Sequence, residues 1–219
     1  MNEKFLGGKE QYIMFDLKVL HPDIWYWDNV ISYPDELVHF INDIDSDRSS
    51  HKAISPWFPW LASNDKNIVY GSTKNLTKNE VLIGSGNEKT DQKVLYIYNS
   101  LEMAFSMCYD RYMEAHKIID KSQYKMYTDS INVKKWQPGA NMGPHADGYD
   151  GNTDLAFSLV AYLNEDYEGG EISFPNHNIT VKPKKGSLIM FPAQEPFVHE
   201  VKQVISGDRY MSTVSSWKV

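Results

Sequence analysis

The sequence predicts a mainly-β protein of the α+β class, in which helices come first and an all-β body follows. Between residues 92 and 118, apolar side chains recur three or four positions apart, which predicts one long amphipathic helix. From residue 129 onward, short apolar or alternating runs are separated by turns that contain Gly and Pro, a pattern typical of a sandwich or barrel. The helical stripe consists of Val94, Leu95, Tyr98, Leu101, Phe105, Cys108, Tyr109 and Tyr112.

The first 45 residues predict two strands and a helix. Residues 12–20 and 24–31 are short, aromatic and β-branched, which favours strands. Pro34 is expected to open the helix, because proline is tolerated at a first helical position. Residues at helical spacing give this helix one apolar face, namely Leu37, Phe40, Ile41 and Ile44.

Residues 46–92 are polar and sustain neither helical nor strand periodicity. They contain an aromatic cluster, Trp57, Phe58 and Trp60, flanked by prolines. A long irregular segment in a compact domain is often a lid or a binding loop. The cluster could instead only anchor the loop to the body, and both interpretations stay open.

The all-β body is expected to contain seven strands. They cover residues 130–136, 155–163, 171–174, 178–181, 187–191, 197–201 and 209–217. No linker separates the two halves, so residues 1–219 are expected to form a single domain, with 1–128 as support and 129–219 as the core.

Charge and cysteine content narrow the function classes. The 219 residues carry a formal net charge of −7, which disfavours binding to phosphate backbones and anionic lipid surfaces. Cys108 is the single cysteine, so an internal disulfide is excluded and a reducing compartment is expected. Met1–Asp16 lacks an apolar signal-peptide run, and no stretch approaches the roughly 18 to 20 apolar residues of a membrane span. We therefore expect a cytoplasmic protein.

Three residues form a candidate metal site. His145 and Asp147 are two apart, so on an extended backbone both side chains point to the same side. A histidine and a carboxylate are two ligands of the facial triad that binds iron(II) and leaves open positions. His199, in an apolar strand, is the candidate third ligand. Taken alone, such a triplet is more often a set of surface residues, and a strand histidine is more often a core residue.

Arg209 adds a candidate anion site. It follows His199 by ten residues with a turn between them, which allows the two to lie on adjacent antiparallel strands. Thr213 shares its face of the strand. A guanidinium inside a barrel requires an anion, and a dicarboxylic acid could bind the metal at one end and Arg209 at the other. The alternative is a surface arginine beside Asp208.

These residues carry a resemblance to a known family. From about Asp129 to Trp217 the sequence resembles the 2-oxoglutarate and iron(II)-dependent oxygenases, especially the prolyl 4-hydroxylase-like branch. Spacing and order both agree over about ninety residues. The matching motifs are Pro138-Gly139, His145-Ala146-Asp147, Tyr162-Leu163-Asn164, Gly169-Gly170-Glu171-Ile172, residues 185–191, His199 with Val201, and Gly207 with Arg209-Tyr210.

The resemblance implies a double-stranded β-helix (jelly roll) with N-terminal supporting helices. It implies iron(II) held by His145, Asp147 and His199, with 2-oxoglutarate and O2 as cosubstrates and ascorbate as a candidate reductant. Arg209 would bind the distal carboxylate of 2-oxoglutarate, Tyr162 falls where some relatives place a tyrosine hydroxyl on the same carboxylate, and Thr213 could assist. Tyr162 could alternatively be a core aromatic of its strand.

Two positions depart from the family pattern. Trp136 stands where relatives commonly have a tyrosine that lines the cosubstrate pocket, and an indole cannot replace a phenol at the same reach. Arg209 stands where many collagen-type relatives have lysine, and resembles instead the bacterial and oxygen-sensing members.

The resulting functional prediction is an oxidoreductase, a dioxygenase that hydroxylates a C–H bond. A prolyl residue in a protein or peptide is the first choice, because Trp57, Phe58 and Trp60 would suit a proline-rich segment. The alternatives are a hydroxylase of a free amino acid, small metabolite or nucleic-acid base, a non-catalytic cupin-like metal- or ligand-binding module, and a zinc hydrolase. Net charge disfavours the base, and the sequence does not predict an oligomeric state.

Overall fold

The computed structural model describes residues 16–46, 57–60, 71–84, 87–117, 121–148 and 153–219. Its elements in the first half of the chain are β1 (Asp16–His21), β2 (Ile24–Asp28), α1 (Pro34–Ser46), β3 (Phe58–Trp60), β4 (Gly71–Thr77), α2 (Lys78–Ile83), α3 (Glu88–Ala115) and β5 (Tyr124–Met126). The remaining elements are β6 (Ser130–Trp136), β7 (Met142–His145), β8 (Leu155–Tyr162), β9 (Glu168–Gly169), β10 (Ile172–Phe174), β11 (Ile179–Val181), β12 (Leu188–Pro192), β13 (His199–Val201), β14 (Val204–Ser206) and β15 (Arg209–Lys218).

Two antiparallel sheets form the body. The large sheet has the order β1-β2-β12-β8-β15-β6-β4-β3, with β5 paired to β15, and the small sheet has the order β11-β10-β13-β7. A short pair, β14 with β9, stands apart from both. The N-terminal strands therefore join the same sheet as the C-terminal ones, and the supporting half is continuous with the body.

Each face of the large sheet covers a different core. Ile131 and Val133 of β6 belong to the cluster on the helix side, whereas Trp136 belongs to the cluster that the two sheets share. This division follows from the alternation of side chains along a strand. Tyr162 on β8 and Phe174 on β10 meet in the second cluster, which lies between the sheets.

Helix α3 covers the outer face of the large sheet. Its N-terminus is capped by Asn87, whose side chain accepts a hydrogen bond from the Thr90 amide. Leu101 and Phe105 are fully buried, and Cys108 is buried as expected for a core residue. None of the helices in the part of the chain that the structure describes is long and apolar enough to cross a membrane.

Most predicted elements of the body are present with boundaries shifted by one or two residues. Strand β6 occupies residues 130–136 as predicted, and β15 covers residues 209–218 where 209–217 were expected. Helix α1 begins at Pro34 as predicted, and α3 begins at Glu88, four residues before its expected start.

The prediction that residues 46–92 are irregular is wrong where the structure describes them. Residues 71–77 form β4 and residues 78–83 form α2. Strand β4 pairs with β6 along its whole length, from Gly71 opposite Trp136 to Thr77 opposite Ser130. Its stability comes from hydrogen bonds to a strand that is distant in sequence, which a polar local sequence does not reveal. Residues 47–56 and 61–70 lie outside the described residues. A lid or binding loop in those residues therefore stays a prediction.

Candidate metal centre and anion pocket

The three predicted metal ligands lie together at one end of the space between the sheets. His145 ends β7 and His199 begins β13, and the strand register places them directly opposite each other. Asp147 follows β7 by two residues. Its Oδ1 lies 3.4 Å from His145 Nε2 and 3.8 Å from His199 Nε2. One ligand atom from each residue can be chosen such that all three lie within 4.8 Å of one another.

Backbone carbonyls fix the orientation of both imidazoles. His145 Nδ1 lies 2.8 Å from the Gly143 carbonyl oxygen, and His199 Nδ1 lies 3.3 Å from that of Phe197. A carbonyl can only accept, so in each ring the Nδ1–H donates and Nε2 is directed at Asp147, where its lone pair can bind a metal when the ring is neutral. Neutral imidazoles held through the second nitrogen are the usual arrangement of histidine metal ligands.

The electrostatics of the three residues also suit a cation. Burial by itself would raise the pKa of Asp147, but the His145 contact, the charge of His199 and the Ser158 hydroxyl outweigh it and lower that pKa to about 2. Burial lowers the pKa of His199. Burial also opposes the charge on His145, yet its contacts with Asp147 and Gly143 give a net raised pKa. Asp147 is therefore a carboxylate at neutral pH.

This donor set fits iron(II). Two imidazole nitrogens and one carboxylate oxygen are the ligands of the 2-His-1-carboxylate triad. Ligand atoms at about 2.0–2.2 Å from one ion lie about 3 Å apart on adjacent vertices. The distances from Asp147 Oδ1 to the two Nε2 atoms exceed that spacing by less than 1 Å, so small side-chain movements would complete the site.

Arg209 lies at the other end of the same space. Its side chain is 1% exposed, and its guanidinium is surrounded by aromatic rings. The guanidinium carbon lies 5.0 Å from the Trp136 ring centroid, 5.2 Å from that of Tyr162 and 6.0 Å from that of Tyr167. Rings at these distances stabilise the cation but do not neutralise it.

No carboxylate of the described residues pairs with Arg209. Its Nη1 contacts Met211 Sδ at 2.7 Å, and a thioether is a weak acceptor. Its Nε is buried without a hydrogen-bond partner, and the buried hydroxyls of Tyr162 and Tyr167 make no hydrogen bond of ordinary geometry. A buried cation beside unsatisfied donors is unfavourable unless an anion binds there. This arrangement fits one carboxylate of a diacid.

A glycine allows the aromatic wall to reach the guanidinium. Gly170 has φ +68°, and a Cβ atom there would lie 2.9 Å from Arg209 Cδ and 3.0 Å from Tyr167 Cε2. Any larger residue would push the two side chains apart. Gly170 of the Gly169-Gly170 motif thus has a local structural reason in this chain, which is the close approach of the loop to Arg209.

One cavity of about 410 Å³ connects the two ends. Its volume lies within the range of about 300–1,000 Å³ that is usual for small-molecule sites. Apolar side chains form most of its wall. The described lining residues are Lys134, Trp136, Met142, His145, Ala146, Asp147, Leu155, Ser158, Leu159, Val160, Tyr162, Ile172, His199, Val201, Arg209, Met211, Thr213, Val214 and Ser215.

The cavity contains most of the site residues expected from the sequence. Trp136, Tyr162 and Thr213 line it together with the three ligands and Arg209. Trp57 instead packs against the helix-side core, with Lys74 Nζ 4.8 Å from its ring centroid. The backbones of Phe58 and Trp60 pair with β4, and their side chains lie outside the described residues. The role of this aromatic cluster in substrate binding stays a prediction.

Sequence reasoning missed two cavity residues that strand alternation could have indicated. Ser158 precedes Tyr162 by four residues on β8, and Lys134 precedes Trp136 by two on β6. Both therefore share a face with a residue that was expected in the pocket. Burial lowers the pKa of Lys134 to about 8, with nearby Asp147 opposing that shift and Arg209 reinforcing it.

Comparison with known proteins supports the resemblance that the motifs of this region suggest. Residues 131–217 match the 2OG-Fe(II) oxygenase superfamily. They contain every ligand candidate and Arg209. The resemblance inferred from the sequence motifs is confirmed.

PKHD-type hydroxylases are among the curated proteins that this chain resembles. One from Prochlorococcus marinus is 34% identical over 91 residues, which is 39% of this chain and 38% of the relative. One from Aliarcobacter butzleri is 34% identical over 104 residues, which is 38% of this chain and 44% of the relative. The chain thus spans about two fifths of the length of the curated relatives it matches.

Solved oxygenase structures share the fold over most of the chain. A Trichoplax adhaerens prolyl hydroxylase in complex with a hypoxia-inducible-factor peptide has a TM-score of 0.58 at 18% identity, covering 91% of this chain and 86% of that one. A viral collagen prolyl hydroxylase from Paramecium bursaria Chlorella virus-1 has a TM-score of 0.54 at 20% identity, covering 90% of both. The predicted double-stranded β-helix with supporting helices is confirmed.

Proposed function

We propose that the protein is an iron(II)- and 2-oxoglutarate-dependent dioxygenase that hydroxylates a C–H bond. One observation carries this proposal. The cluster of His145, Asp147 and His199 lines the same cavity as the buried guanidinium of Arg209. No carboxylate of the described residues pairs with that guanidinium. A keto-diacid that bridges the two ends would satisfy both.

The side chains have separate tasks in this proposal. His145 Nε2, Asp147 Oδ1 and His199 Nε2 would hold the metal. When bound, iron(II), 2-oxoglutarate and O2 supply the chemistry, in which oxidative decarboxylation to succinate and carbon dioxide is coupled to hydroxylation of the substrate.

The remaining cavity residues orient the cosubstrate and exclude water. Arg209 would donate two parallel hydrogen bonds to the distal carboxylate, because its fork matches a carboxylate. The Tyr162 hydroxyl, buried and without a hydrogen bond of its own, would donate a further one. The apolar wall excludes water and so strengthens these charged contacts.

We further propose a prolyl residue of a protein or peptide as the substrate. The curated relatives are named hydroxylases, and several structures of the same fold are named prolyl hydroxylases. The site is open enough to admit a substrate side chain, since the side chains of His145 and Asp147 are 30% and 31% exposed.

The decisive experiment measures succinate release from 2-oxoglutarate with iron(II) under air, with and without proline-containing peptides. The wild-type protein is expected to form succinate, and the His145→Ala variant is not. His39→Ala is the matched control, since His39 lies on the exposed surface of α1. Binding of iron and 2-oxoglutarate without succinate formation would identify a non-catalytic binding module and contradict the proposal.

The peptides separate the chemistry from the substrate. Mass spectrometry of each peptide is expected to show a gain of one oxygen on proline. If succinate forms but no peptide is hydroxylated, free amino acids such as L-proline are tested next. Hydroxylation of a free amino acid would contradict the peptide assignment and leave the dioxygenase assignment intact.

A further inference from the structure

We propose that Ser158 is a positioning residue that restricts Asp147 to one metal-binding oxygen. This inference rests on the proposed function, because it concerns the metal that the function requires. Ser158 lies on β8, is 5% exposed and lines the cavity. Its role is to determine which side of the carboxylate faces the two imidazoles.

The two oxygens of Asp147 have different partners. Oδ1 faces the Nε2 atoms of His145 and His199. Oδ2 lies 2.5 Å from Ser158 Oγ. The serine hydroxyl is the donor in this contact, since the oxygens of a carboxylate accept. Hydrogen bonds to a charged acceptor are the stronger kind.

The large sheet holds the serine in place. Ser158 pairs with Phe191 of β12 on one side and with Ser215 of β15 on the other. A residue in the middle of a paired strand cannot follow Asp147 if the carboxylate rotates. The hydrogen bond therefore ties the loop after β7 to a rigid element, as partners of metal ligands commonly do.

Metal binding through one oxygen of Asp147, rather than through both, has a chemical consequence. A metal held by a facial triad keeps positions open for cosubstrate and oxygen. A second oxygen from Asp147 would occupy one of them. By holding Oδ2 with the hydroxyl of Ser158, the protein keeps that position available.

The test compares Ser158→Ala with Ser158→Thr, which retains a hydroxyl. Calorimetric titration of metal-free protein with manganese(II) gives the metal affinity, and an oxygen-free visible spectrum gives the charge-transfer absorption of the iron(II)–2-oxoglutarate complex. Ser158→Ala is expected to bind manganese about 10- to 100-fold more weakly, the usual effect of losing a hydrogen bond to a metal ligand. At saturating iron its absorption band is expected to shift and its 2-oxoglutarate affinity to fall.

Ser212→Ala is the matched control. Ser212 is fully buried on β15, and its hydroxyl donates to the Asn132 carbonyl at 2.7 Å, so the same substitution removes a buried hydrogen bond away from the metal. It is expected to leave the manganese affinity and the absorption band unchanged. Ser158→Thr is expected to restore both toward wild type.

The outcomes separate this inference from the proposed function. Equal manganese affinity in wild type and Ser158→Ala overturns the role of Ser158, whereas succinate formation by the wild type would still support the function. An equal loss in Ser158→Ala and Ser212→Ala overturns it as well, because the effect would be general destabilisation. A wild-type protein that binds no metal overturns the proposed function itself.

Discussion

The two ends of the cavity are built differently. At the metal end, the His145 and Asp147 side chains are each about one third exposed, and backbone carbonyls two residues away hold both imidazoles. At the anion end, Arg209 is 1% exposed and is surrounded by aromatic side chains and a glycine from distant parts of the chain. The metal end is partly open, because two of its three ligands are exposed to this extent and only His199 is buried, whereas the anion end is closed.

The difference in exposure between the two ends fits their different functions in the proposed reaction. A metal centre that takes part in turnover must admit oxygen and a substrate, so its ligands need an open side. A site that binds a carboxylate gains from the exclusion of water, because the attraction between charges increases as the effective dielectric constant falls. Substitutions at the two ends should therefore change different binding constants.

The largest expected effect is at the metal end. His199→Ala removes one of three ligands, and we expect manganese(II) binding and succinate formation to be lost together. Calorimetric titration and a succinate assay measure the two quantities. Full succinate formation by this variant would show that the three residues are not the metal site.

The next largest effect is at the anion end. Arg209→Met keeps the length and apolar part of the side chain but removes the charge. Removing one member of a buried charged pair weakens binding by about 2–5 kcal/mol. We therefore expect the KM for 2-oxoglutarate to rise about 30-fold or more. Manganese affinity should be unchanged. A joint loss of metal binding and 2-oxoglutarate binding would mean that the two ends are not independent.

The Arg209→Lys variant separates the effect of the charge from that of the two parallel hydrogen-bond donors. Lysine preserves the charge but not the two parallel donors, so its KM should lie between those of the wild type and Arg209→Met. A KM equal to that of the wild type would show that charge alone is recognised at this end.

A smaller effect is expected from single hydroxyls of the anion end. Tyr162→Phe removes one hydrogen-bond donor that lines the cavity. A hydrogen bond to a charged group stabilises a complex by about 1.5–3 kcal/mol, so the KM for 2-oxoglutarate should rise about tenfold or more. Tyr167→Phe is the comparison, because Tyr167 contacts Arg209 from outside the cavity lining. We expect a weaker effect there, and a larger one would place the Tyr167 hydroxyl on the carboxylate instead.

The smallest expected effect for a single step, here a change of one pH unit, is the pH dependence of metal binding. Burial opposes the charge on His145, but its contacts with Asp147 and Gly143 raise its pKa, whereas burial lowers that of His199. As pH falls, His145 gains a proton first, and a metal must displace it. Manganese affinity should therefore fall by at most about tenfold per pH unit between pH 8 and pH 6, with about one proton released per ion. Calorimetry in buffers of different ionisation enthalpy measures that proton, and a pH-independent affinity would contradict the prediction.

The sequence predicted local features well where the pattern was regular. Alternation and turn residues predicted β6 and β15 to within one residue, because half-buried strands show a period of two. The same alternation could have indicated Ser158 from Tyr162. Strand β4 was missed, because its polar sequence is a strand only through its pairing with β6.

By itself, the sequence determined the fold class and the residue types of the candidate site: His145, Asp147, His199 and Arg209, at spacings that resemble one family. Only the tertiary structure decided that Asp147 Oδ2 faces Ser158, and that Trp136, Tyr162 and Tyr167 surround a guanidinium without a described carboxylate partner. The physical reason is that spacing along a strand determines the face on which a side chain lies, whereas contacts between strands depend on register and on the packing of distant segments.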